Sequence, residues 1–250
     1  MDMAKQNRQK VMDNKILKKE MQGKVINPAF VKKEAPKPIT AKNDFQRELL
    51  FALKKYSVVV AIAPAGCGKS LIVMSEVADR LRNKKVEKVI ITRSNVGMGK
   101  TIGLLKGSIQ DKMAPLLAPL TEVIKQRYGS AWYDCQVNND NIETLALEYA
   151  RGRNFDGVTV VEESQNISPQ EMFSLITRVT DNGCLYLLGD PAQHDLHGKD
   201  GLTWLRDFVE DHDLGDCIKI VQGTSEDIVR GDICKRFVKA MEYERAYEKK

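Results

Sequence analysis

The chain has 250 residues, 42% of them apolar and 29% charged, which suits one ample α/β domain or a domain with an arm. No signal peptide is read and no stretch is apolar and long enough for a membrane-spanning helix, so neither a secretory leader nor a transmembrane helix is expected. The net charge of +5 is uneven, because residues 1–42 hold eleven Lys or Arg against four acids, a net of +7 that leaves −2 for everything after them.

Residues 1–40, with Pro28, Pro36 and Pro38 and few aromatics, read as a flexible basic arm, suited to phosphate-rich partners through counterion release or serving as a solubilising tail. A folded domain is expected over 41–236 and a charged helix end over 237–250. Within the domain, helix 45–56 leads to a strand at 57–62, then helix 69–82 and strand 88–92. A glycine-rich stretch follows at 97–107. Helix 109–128 is expected to bend at Pro115 and Pro119, ahead of a short apolar segment at 142–147. Strand 158–162, helix 169–177, strand 184–188, strand 217–221 and a C-terminal helix from Ser225 complete the order. Apolar strands alternating with helices predict a mostly parallel sheet with helices on both faces. Cys67, Cys135, Cys184, Cys217 and Cys234 form no CxxC pair, which points to free thiols in a reducing, cytoplasmic compartment.

The most specific stretch is Val58 to Ser70. An apolar strand runs into Ala63-Pro64-Ala65-Gly66-Cys67-Gly68-Lys69-Ser70, and a helical start follows at Leu71. That order is the P-loop arrangement, in which backbone N–H groups of a tight turn and the next helix N-terminus cradle phosphates. Pro64, Ala65, Gly66, Cys67, Gly68, Lys69, Ser70 and Leu71 are therefore the expected nucleotide-binding segment. Lys69 is expected to reach the β- and γ-phosphates, and the Ser70 hydroxyl to ligate Mg²⁺. Ala63 replaces the first glycine of the motif, which the turn tolerates while its φ stays negative. Cys67 is expected to act through its N–H rather than its sulfur.

Two further strands end in polar groups. Val158 to Val161 is followed by Glu162 and Glu163, a carboxylate for Mg²⁺ and one for the attacking water. Cys184 to Leu188 is followed by Gly189-Asp190-Pro191-Ala192-Gln193, which brings another carboxylate and an amide to the same sheet edge. Ligands of open α/β sheets bind at that edge.

Four pieces stand in order: the loop 63–70, Thr92-Arg93, Glu162-Glu163-Ser164-Gln165-Asn166 and Gly189 to Gln193. Together they resemble the PhoH-like family of P-loop ATPases, related to superfamily-one helicases. Arg151-Gly152-Arg153 and Gly103-Leu104-Leu105-Lys106-Gly107 match as well. The resemblance covers about residues 40–235 and implies a RecA-like fold. It gives Gln46 the adenine edge, Lys69 and Ser70 the phosphates and Mg²⁺, and Glu163 the catalytic acid. Glu162 stands where most members carry Asp, Gln165 makes the following polar contact, and Gln193 senses the γ-phosphate. Asp190 joins the nucleotide-binding set. Thr92, Arg93 and Lys100 fall on a segment that in related helicases touches nucleic-acid backbone.

With one RecA-like domain, the arginine that phosphoryl transfer normally uses is expected from a neighbouring subunit of a head-to-tail ring, with a hexamer the expected ring. Arg178 and Arg230 are the candidates, with Arg151 and Arg153 behind them. The resulting expectation is a Mg²⁺-dependent ATPase coupling hydrolysis to RNA or single-stranded DNA. The alternative is a nucleotide-gated scaffold that binds nucleic acid or protein with little turnover.

Overall fold

In a computed structural model of the chain, residues 36–94, 109–150, 152–195 and 198–248 are described. The elements in order are α1 (Asp44–Lys55), β1 (Val58–Ile62), α2 (Lys69–Arg82), β2 (Val89–Arg93), α3 (Ile109–Tyr128), α4 (Ser130–Asn138), β3 (Ile142–Ala146) and α5 (Leu147–Ala150). Then follow β4 (Val158–Glu162), α6 (Pro169–Ile176), β5 (Cys184–Gly189), α7 (Gly201–Asp211), β6 (Ile218–Gln222) and α8 (Asp232–Glu248). The basic arm to residue 35, Lys100, Gly103–Gly107 and Arg151 lie outside the described residues.

The strands form one sheet in the order β3-β2-β4-β5-β1-β6, and every pairing is parallel. Both faces are covered, as the unbroken apolar runs require. All five residues of β1 are buried, and so are the first four of β4. Alternate residues point to opposite faces. Val59, Ile91, Val160 and Tyr186 meet Leu49 and Leu53 of α1, Ile72 and Val77 of α2, and Leu117 and Ile124 of α3. Val60, Ile90, Val161 and Leu187 meet Met172 and Leu175 of α6 and Leu202 and Leu205 of α7. Each such fully buried side chain contributes about 1.5–3 kcal/mol of apolar burial. This is the RecA-like P-loop architecture that the resemblance implied.

Three elements depart from the sequence expectation. Helix α4 has weak amphipathic patterning and is anchored mainly by Trp132, whose ring lies 4.9 Å from Tyr128. Helix α7 begins at an N-cap, Asp200, which accepts from the Thr203 N–H at 2.8 Å. The helix expected from Ser225 begins instead at Asp232. Thr224 and Asp227 form a capping box that closes a single 3₁₀ turn at Ser225–Asp227, and the chain then extends through Ile228. That detour carries Val229 and Arg230 across the loop after β1.

Candidate nucleotide and metal site

The loop after β1 is held from two sides. Gly66 and Gly68 have φ of +92° and +86°, while Ala63 keeps a negative φ, the condition under which alanine fits there. Val229 N–H donates to the Gly66 carbonyl at 3.0 Å, and the Cys67 thiol donates to the Thr224 carbonyl at 3.6 Å. Cys67 is buried, and burial pushes its thiol up to about 11, so its sulfur packs and is not ionised near neutrality. From the other side, Gln46 donates through Nε2 to the Cys67 carbonyl at 2.9 Å and accepts through Oε1 from the Lys42 N–H at 2.9 Å.

Lys69 folds back, its ammonium donating to the Ala63 carbonyl and, at 3.1 Å, to the Pro64 carbonyl. Burial lowers its pKa below the ordinary lysine range, with Glu162 the main charge acting in the other direction. Next to it, Ser70 Oγ donates to Glu162 Oε1 at 2.9 Å. Glu162 Oε2 is buried and has no hydrogen-bond partner among the described residues. Burial pushes this carboxyl above its usual range, against the Ser70 hydrogen bond and the Lys69 charge. A hydroxyl beside a carboxylate oxygen lacking a partner is the oxygen-rich donor set a hard divalent cation takes, so Ser70 and Glu162 fit Mg²⁺.

Glu163 sits in the left-handed region at φ 55°, ψ 39°, the turn that brings it to the same edge as Glu162. Arg93 Nη2 approaches its Oε1 at 3.2 Å, and Gln165 Nε2 donates to its Oε2. Gln165 is fully buried and links two strand ends, since its Oε1 accepts from the Asp190 N–H at 3.2 Å. A Cβ on Gly189 would lie 2.5 Å from that Gln165 oxygen, so β5 must end in glycine. Asp190 in turn accepts from Gln193 Nε2 at 2.7 Å and from the Ala192 N–H at 3.0 Å.

These groups converge on a cavity of about 560 Å³ at the carboxyl edge of the sheet. Ala65, Gly66, Gly68, Lys69, Ser70, Leu71, Glu162, Glu163, Asp190, Gln193, Arg93 and Arg230 all line it. Pro64 is not among the lining residues, and its carbonyl serves to hold Lys69. Gln46 stands behind the loop, 2% exposed and absent from the lining, so its amide braces Cys67 instead of presenting an open edge to adenine.

Thr92 is a correction. Its side chain is 0% exposed and its hydroxyl has no partner among the described residues, because the pleat turns it inward beside Leu145 and Val161. It cannot touch a nucleic-acid backbone. Arg93, on the opposite face, is engaged by Glu163 and by the Leu116 carbonyl at 3.3 Å.

Arg178 lies elsewhere. The Phe155–Val179 bridge precedes both β4 and β5, so Arg178 is at the amino edge of the sheet, its Nε buried without a partner among the described residues. Arg153 pairs with Glu143 at 2.7 Å. Sequence reasoning missed the apolar wall of Pro119, Val123 and Val229, for which only the prolines of α3 gave a local signal.

A family model described as PhoH-like protein matches residues 38–242. Protein PhoH of Escherichia coli K12 is 31% identical over 206 residues, covering 81% of this chain and 58% of that protein. A PhoH-like protein of Bacillus subtilis is 30% identical over 207 residues, covering 82% of this chain and 64% of that protein. The chain thus spans about three-fifths of the length of these relatives. Among solved structures, the large terminase of a thermophilic bacteriophage is 12% identical with a TM-score of 0.49, covering 82% of this chain and 50% of that one. The UvsW helicase of bacteriophage T4 is 13% identical with a TM-score of 0.45, covering 75% and 61%.

Proposed function

The chain belongs to the PhoH-like protein family, and from that membership and the cavity we propose that it binds ATP with Mg²⁺ and hydrolyses it. The observation that carries the reading is the buried Glu162 oxygen, without a partner among the described residues, beside the Ser70 hydroxyl, with Lys69 and Glu163 the adjoining residues. Lys69 and the loop amides hold the phosphates. Ser70 and Glu162 hold Mg²⁺, which when bound neutralises charge developing on the phosphates. Glu163 orients the attacking water and takes its proton, and Gln193 faces the terminal phosphate from the end of β5.

The basic charge of residues 1–42 favours coupling of turnover to RNA or single-stranded DNA, and the proposed assembly is a head-to-tail ring of this chain. In such a ring Arg178, remote from its own cavity, serves only across an interface, whereas Arg230 already lines its own. No helix among the described residues is long and apolar enough to cross a membrane.

A second reading, a nucleotide-gated binding scaffold with little turnover, is favoured by one observation. Both Glu163 oxygens are engaged, by Arg93 and by Gln165. Phosphate release from ATP and Mg²⁺, with and without a panel of RNA and DNA strands, separates the two. Turnover abolished by Lys69→Ala supports the ATPase. Tight ATP binding without release supports the scaffold.

A further inference from the structure

The cavity already contains an arginine fixed against the catalytic acid, and it is none of the four that the sequence nominates for transfer. Arg93 ends β2, and the register sets it directly opposite Glu162. Its guanidinium is tethered twice: Nη1 donates to the Leu116 carbonyl of α3 at 3.3 Å, and Nη2 meets Glu163 Oε1 at 3.2 Å. Among the described residues, two of its five N–H donors make these contacts, and the planar fork aims the others toward an oxygen placed beside Glu163. The side chain is about a quarter exposed, and that exposure opens into the cavity.

We propose that Arg93 supplies, from within the same chain, the positive charge that faces the terminal phosphate during transfer. This deepens the ATPase reading and rests on it. A γ-phosphate delivered by Lys69 and the loop arrives between Glu163 and the end of β5, where it offers Arg93 a denser negative charge than one carboxylate does. The guanidinium exchanges Glu163 Oε1 for a phosphate oxygen while the Leu116 carbonyl keeps its plane oriented. The exchange also frees Glu163. Water oxygen then bonds to the γ-phosphorus as the bond to the bridging oxygen breaks. The electron pair of that bond leaves with ADP, and a proton of the attacking water passes to Glu163. Arg93 is therefore a catalytic residue, and its pair with Glu163 is the position from which it acts.

The test uses the full chain with Arg93→Ala, Arg93→Lys and Lys69→Ala. Arg93→Ala is expected to lower kcat by about a thousandfold, the low end of what such an arginine contributes, with ADP affinity within about twofold of wild type. Retained ADP binding also shows that the variant is folded. Aluminium fluoride should tighten ADP binding to wild type and not to Arg93→Ala. Arg93→Lys should recover part of the rate, since it keeps the charge and loses the fork. Mixing Arg93→Ala with excess Lys69→Ala subunits should restore nothing, because the charge is delivered in cis.

Wild-type rates in Arg93→Ala, a faster rate, or rescue by the mixed subunits would each overturn the proposal. So would loss of RNA affinity with kcat intact, which would make Arg93 a nucleic-acid contact. Wild-type protein that binds ATP and Mg²⁺ but releases no phosphate overturns the ATPase reading and this inference together. A failure confined to the Arg93 variants overturns only the inference.

Discussion

Ser70 and Glu162, 92 residues apart, share a 2.9 Å hydrogen bond that joins the start of α2 to the end of β4. The bond fixes one carboxylate oxygen and leaves the other buried without a partner among the described residues. Glu162→Gln keeps the acceptor for Ser70 and removes the charge. The concentration of Mg²⁺ giving half-maximal phosphate release is expected to rise by about 10–100-fold, the range seen when a group supporting a metal is lost. A Mg²⁺ titration of ATPase rate checks this. An unchanged midpoint would remove Glu162 from the metal site.

The same substitution has a pH signature in stability. Burial raises the Glu162 pKa above its ordinary value of 4.5, so the folded state binds this proton more tightly than the unfolded chain. The stability so gained is full below about pH 4.5 and is lost as pH rises through the raised folded value. Glu162→Gln has no such loss, and Lys69 keeps the Ala63 and Pro64 carbonyls. The variant should therefore melt higher than wild type at pH 7. The difference should vanish near pH 4. Melting curves across that range decide it, and a variant less stable at pH 7 contradicts the burial account.

Gly66 is expected to tolerate no side chain. Its φ of +92° is hostile to alanine, and a Cβ there would lie 3.1 Å from Arg230 Cβ and 3.2 Å from Cys234 Sγ. Gly66→Ala should cost about 1–2 kcal/mol and push the 228–234 segment off the loop. Calorimetry should show ATP affinity falling more than about tenfold, since a shift of 1.4 kcal/mol in binding already gives that factor. Gly215→Ala, which meets nothing within 4 Å, serves as the neutral control.

These positions also show what the chain order reveals and what it conceals. The P-loop, Glu162, Glu163 and the turn at Asp190 are legible because each is a local pattern, an apolar strand followed at once by polar residues. The Arg93–Glu163 pair is not, because 70 residues separate its members and only the β2–β4 register brings them together. Thr92 and Arg93 read as equivalents in sequence. The pleat assigns one to the interior and the other to the cavity. The passage of Val229 and Arg230 over the loop was hidden by the helical look of the residues after Ser225, where a capping box closes one turn and no more.

Gln46 illustrates a role that changes once contacts are known. Both ends of its amide are engaged behind the loop. Gln46→Ala would leave the Cys67 carbonyl and the Lys42 N–H without this partner, at a cost of about 1–3 kcal/mol. ATP and GTP affinities should then fall together. If ATP alone weakens, the residue reads adenine and the bracing account fails.

Glu163 combines chemistry with backbone strain. Its left-handed φ of 55° costs a non-glycine residue about 1–2 kcal/mol, which its partly exposed pair with Arg93 offsets by no more than about 1 kcal/mol. Glu163→Gln should bind ATP as wild type does and release phosphate at least about a hundredfold more slowly, because the water loses its base while the loop is untouched. Glu163→Gly should be equally inactive yet as stable as wild type or slightly more so, since glycine adopts this conformation freely. Equilibrium unfolding in urea, alongside nucleotide binding, tests both. A glycine variant that is markedly less stable would mean that the contacts of Glu163 with Arg93 and Gln165, and not its backbone, dominate the energetics of this turn.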